Sequence, residues 1–197
     1  MLFRSETKEF EGKLLRRIVA LRSFGRIKKD HIGGWLVKED NLSHNGNAWV
    51  AAEAIVKDNA RIGGNAHVTG DALIGGSASI QNSAFILSGY IHGNAQVIDS
   101  ARVAGNANVS GHAIVSGNAC VEGNAIVTKN TINISGFPYN ITITDNHLRI
   151  WLEQHTFDEW RMFDDKDILK LDGPKGLQFW NRYKEILLVL CNDKETE

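Results

Sequence analysis

From position 46 to 87 the chain reads GNAWVA-AEAIVK-DNARIG-GNAHVT-GDALIG-GSASIQ-NSAFIL, and from 93 to 128 it reads GNAQVI-DSARVA-GNANVS-GHAIVS-GNACVE-GNAIVT. Alanine recurs every six residues from Ala48 to Ala84 and from Ala95 to Ala125, and Val or Ile stands two residues after each. Thirteen of fourteen units keep both positions, which excludes chance. Side chains alternate with period two along a strand, so small-x-aliphatic places both residues on one face of a short strand. The other three positions must turn the chain. Gly opens nine of the fourteen units and Asn often follows. These residue types enter the left-handed backbone region at least cost. Strands and corners in alternation, all with Ala and Val inward, wind into a solenoid with a thin apolar axis.

The pattern of an aliphatic residue followed four positions later by a small one, as in Val68-Thr-Gly-Asp-Ala72, resembles the hexapeptide-repeat left-handed β-helix. The resemblance covers 46–128 and implies a left hand, three sides and an all-β solenoid; periodicity alone gives neither the hand nor the number of sides. With three units per coil, the outward residues sort into columns. The first holds Trp49, His67, Phe85, Arg102 and Cys120, a mixture suited to a binding face. The second holds Ile55, Leu73, Ile91, Asn108 and Ile126, and the third Arg61, Ser79, Gln96 and Ile114. Aliphatic side chains aligned on a flank would be a costly exposed patch. That flank is expected to be covered by the C-terminal segment or by another subunit.

One unit is short: Ser88-Gly89-Tyr90-Ile91-His92. Counting puts Tyr90 in the alanine slot and His92 in the valine slot, with one corner residue missing. It reads either as a local bulge or as an interruption opening a pocket beside Tyr90 and His92.

Residues 1–45 read as an N-terminal β-rich cap and 131–197 as a C-terminal strand plus helical module, around a β-helix over 46–130. Solenoid ends need covering, because terminal coils expose apolar cross-section and unpaired edges. Glu11-Gly12 favours a hairpin, with a short helix the alternative. The stretch Arg22–Lys29 followed by Ile32-Gly-Gly-Trp-Leu36 reads as a strand and glycine-rich corner. Downstream, Ile141–Thr144 alternates like a strand that His147–Trp151 continues, and Thr156-Phe-Asp-Glu159 is a capping box. A final helix is expected near Pro174, its stripe of Leu177, Trp180, Tyr183, Leu187 and Leu190 packing on the Ile55/Leu73/Ile91 flank.

The flanking segments Arg17–Gly25, Gly33–Trp35 and Glu39–Ser43 leading into GNAWV, with Ile141–His147 and His155–Trp160, resemble a family of uncharacterised GNAxV-repeat proteins common in bacteriophage and prophage genomes. That resemblance implies a phage accessory protein working in the bacterial cytoplasm and supplies no catalytic residues.

The 197 residues carry 22 Lys+Arg against 23 Asp+Glu, so no overall field points to nucleic acid or an anionic membrane. Charge is uneven, however: 1–45 hold 10 basic and 6 acidic groups, whereas 130–197 hold 8 and 12. The start lacks a signal-peptide apolar stretch, and the longest apolar run, 186–191, is far short of the ~20 residues that span a bilayer. Cys120 and Cys191 make neither a disulfide framework nor a metal pattern. These features are read as a reduced, cytoplasmic protein.

Fold analogy raises acyl transfer and zinc chemistry. β-Helix acyltransferases resembling this pattern use a histidine base and a projecting loop, but 46–128 contains no insertion longer than a corner. His67, His92 and His112 lack the pair spacing of metal ligands, and His147 and His155 read as capping or packing groups. The glycines belong to the repeat, so they are no phosphate loop. The best electrostatic feature is the cluster Arg16, Arg17, Arg22, Arg26, Lys28 and Lys29, either a solvated face or an anion site with Trp35 beside it. The expectation is a binding protein without catalytic residues, cofactor or metal. Its contact residues are drawn from Arg22, Lys28, Lys29, Trp35, Trp49, His67, Phe85, Tyr90 and His92, and its oligomer or cap interface from Ile55, Leu73, Ile91, Ile126, Trp180, Tyr183 and Leu187. Its target would be a host protein, such as a component of antiviral defence. Other readings are an oligomeric binder sequestering an anionic small molecule or nucleotide, an acyltransferase, and a structural polymer. Trimers are what the β-helix resemblance implies, and the aliphatic column equally permits a dimer.

Overall fold

Each small-x-aliphatic unit forms a two-residue strand, and the strand three units later lies directly beside it. In the computed structural model, which describes residues 2–196, Trp49 pairs with His67 and His67 with Phe85, while Phe85 pairs with Arg102 across the short unit. Repeating this on three sides produces three parallel stacks, a β-solenoid of about five turns. Its ladder runs along the axis, as in Trp49 N–H to the Ala66 carbonyl at 3.0 Å and Ala51 N–H to Val68 at 2.8 Å. From Val50 to Val127 the aliphatic residue of every unit is at most 1 % exposed, so the axis is a dry column of Val, Ile and Ala. Corners are turned by residues at positive φ, among them Gly70 at 64° and, unusually for alanine, Ala52 at 53°.

The short unit differs from its expected reading. The missing residue falls in the corner after Ile86, so Gly89 takes the alanine place, Ile91 points inward at 0 % exposure and Tyr90 points outward. Gly89 has φ 98°, and a Cβ there would lie 2.8 Å from the Ala107 carbonyl oxygen. Read as Gly-Tyr-Ile, the unit obeys the small-x-aliphatic rule after all. Ile91 therefore leaves the flank column, Tyr90 replaces it, and His92 stands half-buried at the corner.

At the N-terminal end, strands Leu2–Phe10 and Lys13–Val19 form the hairpin, closed by Glu11 and Gly12 at φ 50° and 71°. Two successive positive-φ residues match the twist of the flanking strands. The stacks reach upstream of Gly46: Trp35 of strand Ile32–Leu36 pairs in parallel with Ile55, and Leu42 of strand Leu42–Gly46 with Ile62. Gly34 occupies the alanine place there, since a Cβ would meet the Ala54 carbonyl at 2.6 Å. Segment 22–29 is a loop closed by mutual Phe24–Ile27 backbone bonds, not a strand.

At the other end, strands Ile132–Ile134, Ile141–Ile143, His147–Ile150 and Glu153–Thr156 form an antiparallel sheet. His147–Trp151 does not prolong the preceding strand but folds back on it through a tight turn held by Thr144, whose N–H donates to the His147 carbonyl at 2.9 Å and whose Oγ1 accepts from His147 N–H at 3.0 Å. Helix α1 (Phe157–Met162) starts at the reciprocal Thr156–Glu159 capping box. Helix α2 (Asp165–Thr196) begins earlier than Pro174 and is interrupted at Asp172 and Gly173. Its apolar stripe, including Trp180, Leu187 and Cys191, packs on Ile141, Ile143, Leu148 and Trp160 of its own module. The expected cover over Ile55 and Leu73 is not made by this helix: a four-stranded sheet nearer in sequence offers it a broader apolar face.

Candidate functional site

The first outward column exists as expected on the sheet through Trp49, His67, Phe85, Arg102 and Cys120. Trp49 points outward yet is only 1 % exposed, because loop 22–29 and its flanks roof it. Phe24 meets its ring edge-on at 5.7 Å between centroids, and the His31 ring lies at 6.2 Å. Gly33 is required beneath it, since a Cβ would lie 2.6 Å from the indole. The Trp49 indole N–H has no hydrogen-bond partner among the described residues.

Beyond the roof the column opens. The His67 and Phe85 rings are 6.5 Å apart, and the Arg102 guanidinium lies 5.5 Å from the Phe85 ring. Burial, with Arg26 adding to it, holds the His67 imidazole below its ordinary pKa, which keeps the ring neutral at pH 7. The column ends at Cys120, whose thiol donates to Glu122 Oε1 at 3.0 Å; burial and this bond push it up to about 11. It is therefore a protonated, poorly nucleophilic thiol at neutral pH. Glu122 is ionised despite its burial, held low by the Cys120 bond and by Arg149, whose Nη1 lies 2.7 Å away.

The basic run divides in the structure. Arg17 turns to Glu53, its Nη1 2.8 Å from Oε1. Arg22, Arg26, Lys28 and Lys29 remain exposed on the roof loop, and none makes an ion pair among the described residues. Beside them lies a cavity of about 350 Å³ lined by Leu21, Arg22, Phe24, Leu42, His44 and Trp49, among others. Cations, half-buried rings and a cavity thus meet at one end of one face.

The other residues singled out from sequence lie elsewhere. Trp35 is on the adjacent sheet at 5 % exposure, with Lys8 4.3 Å and Arg17 4.8 Å from its ring, and its indole N–H donates to Glu53 Oε2 at 3.0 Å. It packs the hairpin onto the first coil. Tyr90 stacks on His92 at 4.3 Å, and His92 Nε2 contacts Asn108 Oδ1 at 3.2 Å, on that same sheet. Of the expected interface, Ile55 and Leu73 are half-buried and Ile126 is 46 % exposed, with the 37 % exposed Tyr90 between them. Ile91, Trp180 and Leu187 are interior, and Tyr183 is half-buried against Phe137 and Phe179. His155 packs edge-on to Trp160 and Phe163.

Sequence reasoning missed Phe24 and His31 as the roof over Trp49, because their contact depends on how a non-repetitive loop folds back. Among the described residues no group of three or more His, Cys, Asp or Glu could hold a metal ion, and no helix is long and apolar enough to cross a membrane. No protein-family model matches the chain, and a search of curated proteins finds no match.

Proposed function

We propose that the chain is a non-enzymatic binding scaffold whose contact surface is the sheet bearing Trp49, His67, Phe85 and Arg102 together with the roof loop. The observation that supports this most is the set of four exposed cations, Arg22, Arg26, Lys28 and Lys29, that make no ion pair among the described residues and stand at the end of an aromatic column. Ordinary surfaces mix both signs; a cluster of one sign beside half-buried rings fits a partner with acidic groups around an apolar anchor. The partner in this reading is a host protein, and the repeat and flank resemblance makes the chain a phage or prophage accessory protein acting in the bacterial cytoplasm, with antiviral defence as the target system. The exposed Tyr90 and Ile126 on the neighbouring sheet would serve self-association.

The test separates face from fold. Arg102→Glu combined with Phe85→Ala alters only the outward column, so circular dichroism and melting should be nearly unchanged while capture of an acidic host protein is lost. Capture that survives this change would remove the face from the reading. A second reading, sequestration of an anionic small molecule, is favoured by the cavity of about 350 Å³ beside Arg22 and Trp49. It predicts a bound mass in the isolated protein that disappears with Arg22→Glu.

A further inference from the structure

The C-terminal module carries a net acidic charge, yet one place on it departs from that balance. The loop from Gly136 to Asn140 brings Phe137 and Tyr139 against α2, where Phe137 lies 4.7 Å from Tyr183 and Tyr139 lies 4.8 Å from Phe179, between ring centroids. Tyr139, Phe179 and Tyr183 form the aromatic wall of a cavity of about 370 Å³ whose lining includes, on the same helix as the latter two, Lys175 and Arg182. That volume falls within the roughly 300–1,000 Å³ of small-molecule pockets. Lys175 and Arg182 are exposed and make no ion pair among the described residues. Arg182 is instead held over the Tyr183 ring at 5.3 Å. Asp172, an acid on the same module, is engaged by the Tyr139 hydroxyl, which donates to it.

The two cations are seven residues apart, two turns of one helix face and about 10 Å along its axis. An aromatic wall between two cations fits a flat ring that carries a negative group: the ring packs against the aromatic wall, and the anionic group meets the guanidinium or the ammonium. A purely apolar ligand would leave both cations unused, and a bare inorganic anion would leave the rings unused. We propose that this groove binds a mononucleotide-sized planar anion, a ring system bearing a phosphate. The site lies at the opposite end of the chain from the basic roof loop and does not depend on the reading of that loop.

Isothermal titration of the full chain with adenosine monophosphate and uridine monophosphate, beside adenosine and inorganic phosphate alone, tests it. Both nucleotides should bind, and adenosine or phosphate should bind at least about tenfold more weakly. Lys175→Glu with Arg182→Glu, both at exposed positions, should abolish binding without changing the melting temperature. Tyr183→Leu, which keeps apolar packing and removes the ring, should weaken it. Arg22→Glu with Lys28→Glu should leave it unaltered, which separates this site from the roof loop. No binding of either nucleotide, equal binding of phosphate alone, or binding indifferent to the Lys175/Arg182 change would each overturn the assignment.

Discussion

Ala52 and His67 show how much single positions contribute to this repeat. Ala52 turns a corner at φ 53° where other corners use glycine, Asn or Asp. A left-handed alanine costs about 1–2 kcal/mol, partly offset by the extra freedom glycine has in the unfolded chain. Ala52→Gly should therefore stabilise by about 0.5–1 kcal/mol, read from a denaturant midpoint at unchanged slope. Gly70→Ala should do the reverse and more strongly, since φ is 64° and a Cβ would lie 2.0 Å from the Leu87 carbonyl oxygen. His67 provides a pH dependence. Burial, then Arg26, lower its pKa in the fold, so the unfolded chain takes up the proton first as pH falls. Its contribution is fully present above the unfolded value near 6.5 and is lost as pH falls from there through the folded value. His67→Gln should flatten the stability profile as pH falls below about 6.5; an unchanged slope would place the imidazole in solvent. The single-residue features visible in sequence were those that repeat. Gly89 is less legible because its unit is one residue short at the preceding corner, which shifts the count by one and hides that Gly-Tyr-Ile keeps the small-x-aliphatic rule.

Elements are held at their ends by side chains instead of further strands. The last coil presents backbone N–H groups with no next coil to accept them, an exposed edge that would otherwise template association. Here Asn130 Oδ1 accepts from Ile114 at 3.0 Å, Thr142 Oγ1 from Cys120 at 3.0 Å and Gln154 Oε1 from Glu122 at 3.2 Å. Asn146 Oδ1 accepts from Ile126 at 3.0 Å and Asp145 Oδ2 from Thr128 at 2.6 Å. The polar half of the ITITDNH stretch is thus a plug for the solenoid's edge. Asp145→Ala with Asn146→Ala should cost about 0.5–1.5 kcal/mol for each hydrogen bond lost at these exposed positions and increase end-to-end association in light scattering. Equal stability and an unchanged particle size would show that water replaces the plug. The strands are legible from the spacing of the repeat, and the columns from that spacing with three units per coil, except where Tyr90 takes the place of Ile91. The plug was not readable, because it joins residues 16–32 positions apart through side chains that obey no period.

The whole molecule is polarised along its chain: 10 basic against 6 acidic groups in 1–45, and 8 against 12 in 130–197. The sheet between those ends leaves Tyr90 37 % and Ile126 46 % exposed, in line with half-buried Ile55 and Leu73. An antiparallel second copy would cover this flank and set opposite charges side by side. Tyr90→Glu with Ile126→Glu should then convert an oligomer to a monomer in size-exclusion light scattering, whereas a wild-type monomer at micromolar concentration would contradict self-association through this flank. The central claim concerns the other face, where an aromatic column ends under four exposed cations. Native mass spectrometry of the protein recovered gently from bacterial lysate, beside Arg22→Glu/Lys28→Glu/Lys29→Glu, tests it most directly. The wild type should carry a stoichiometric acidic protein that the triple variant lacks; a wild type without any protein partner, or the same partner on both, would contradict it.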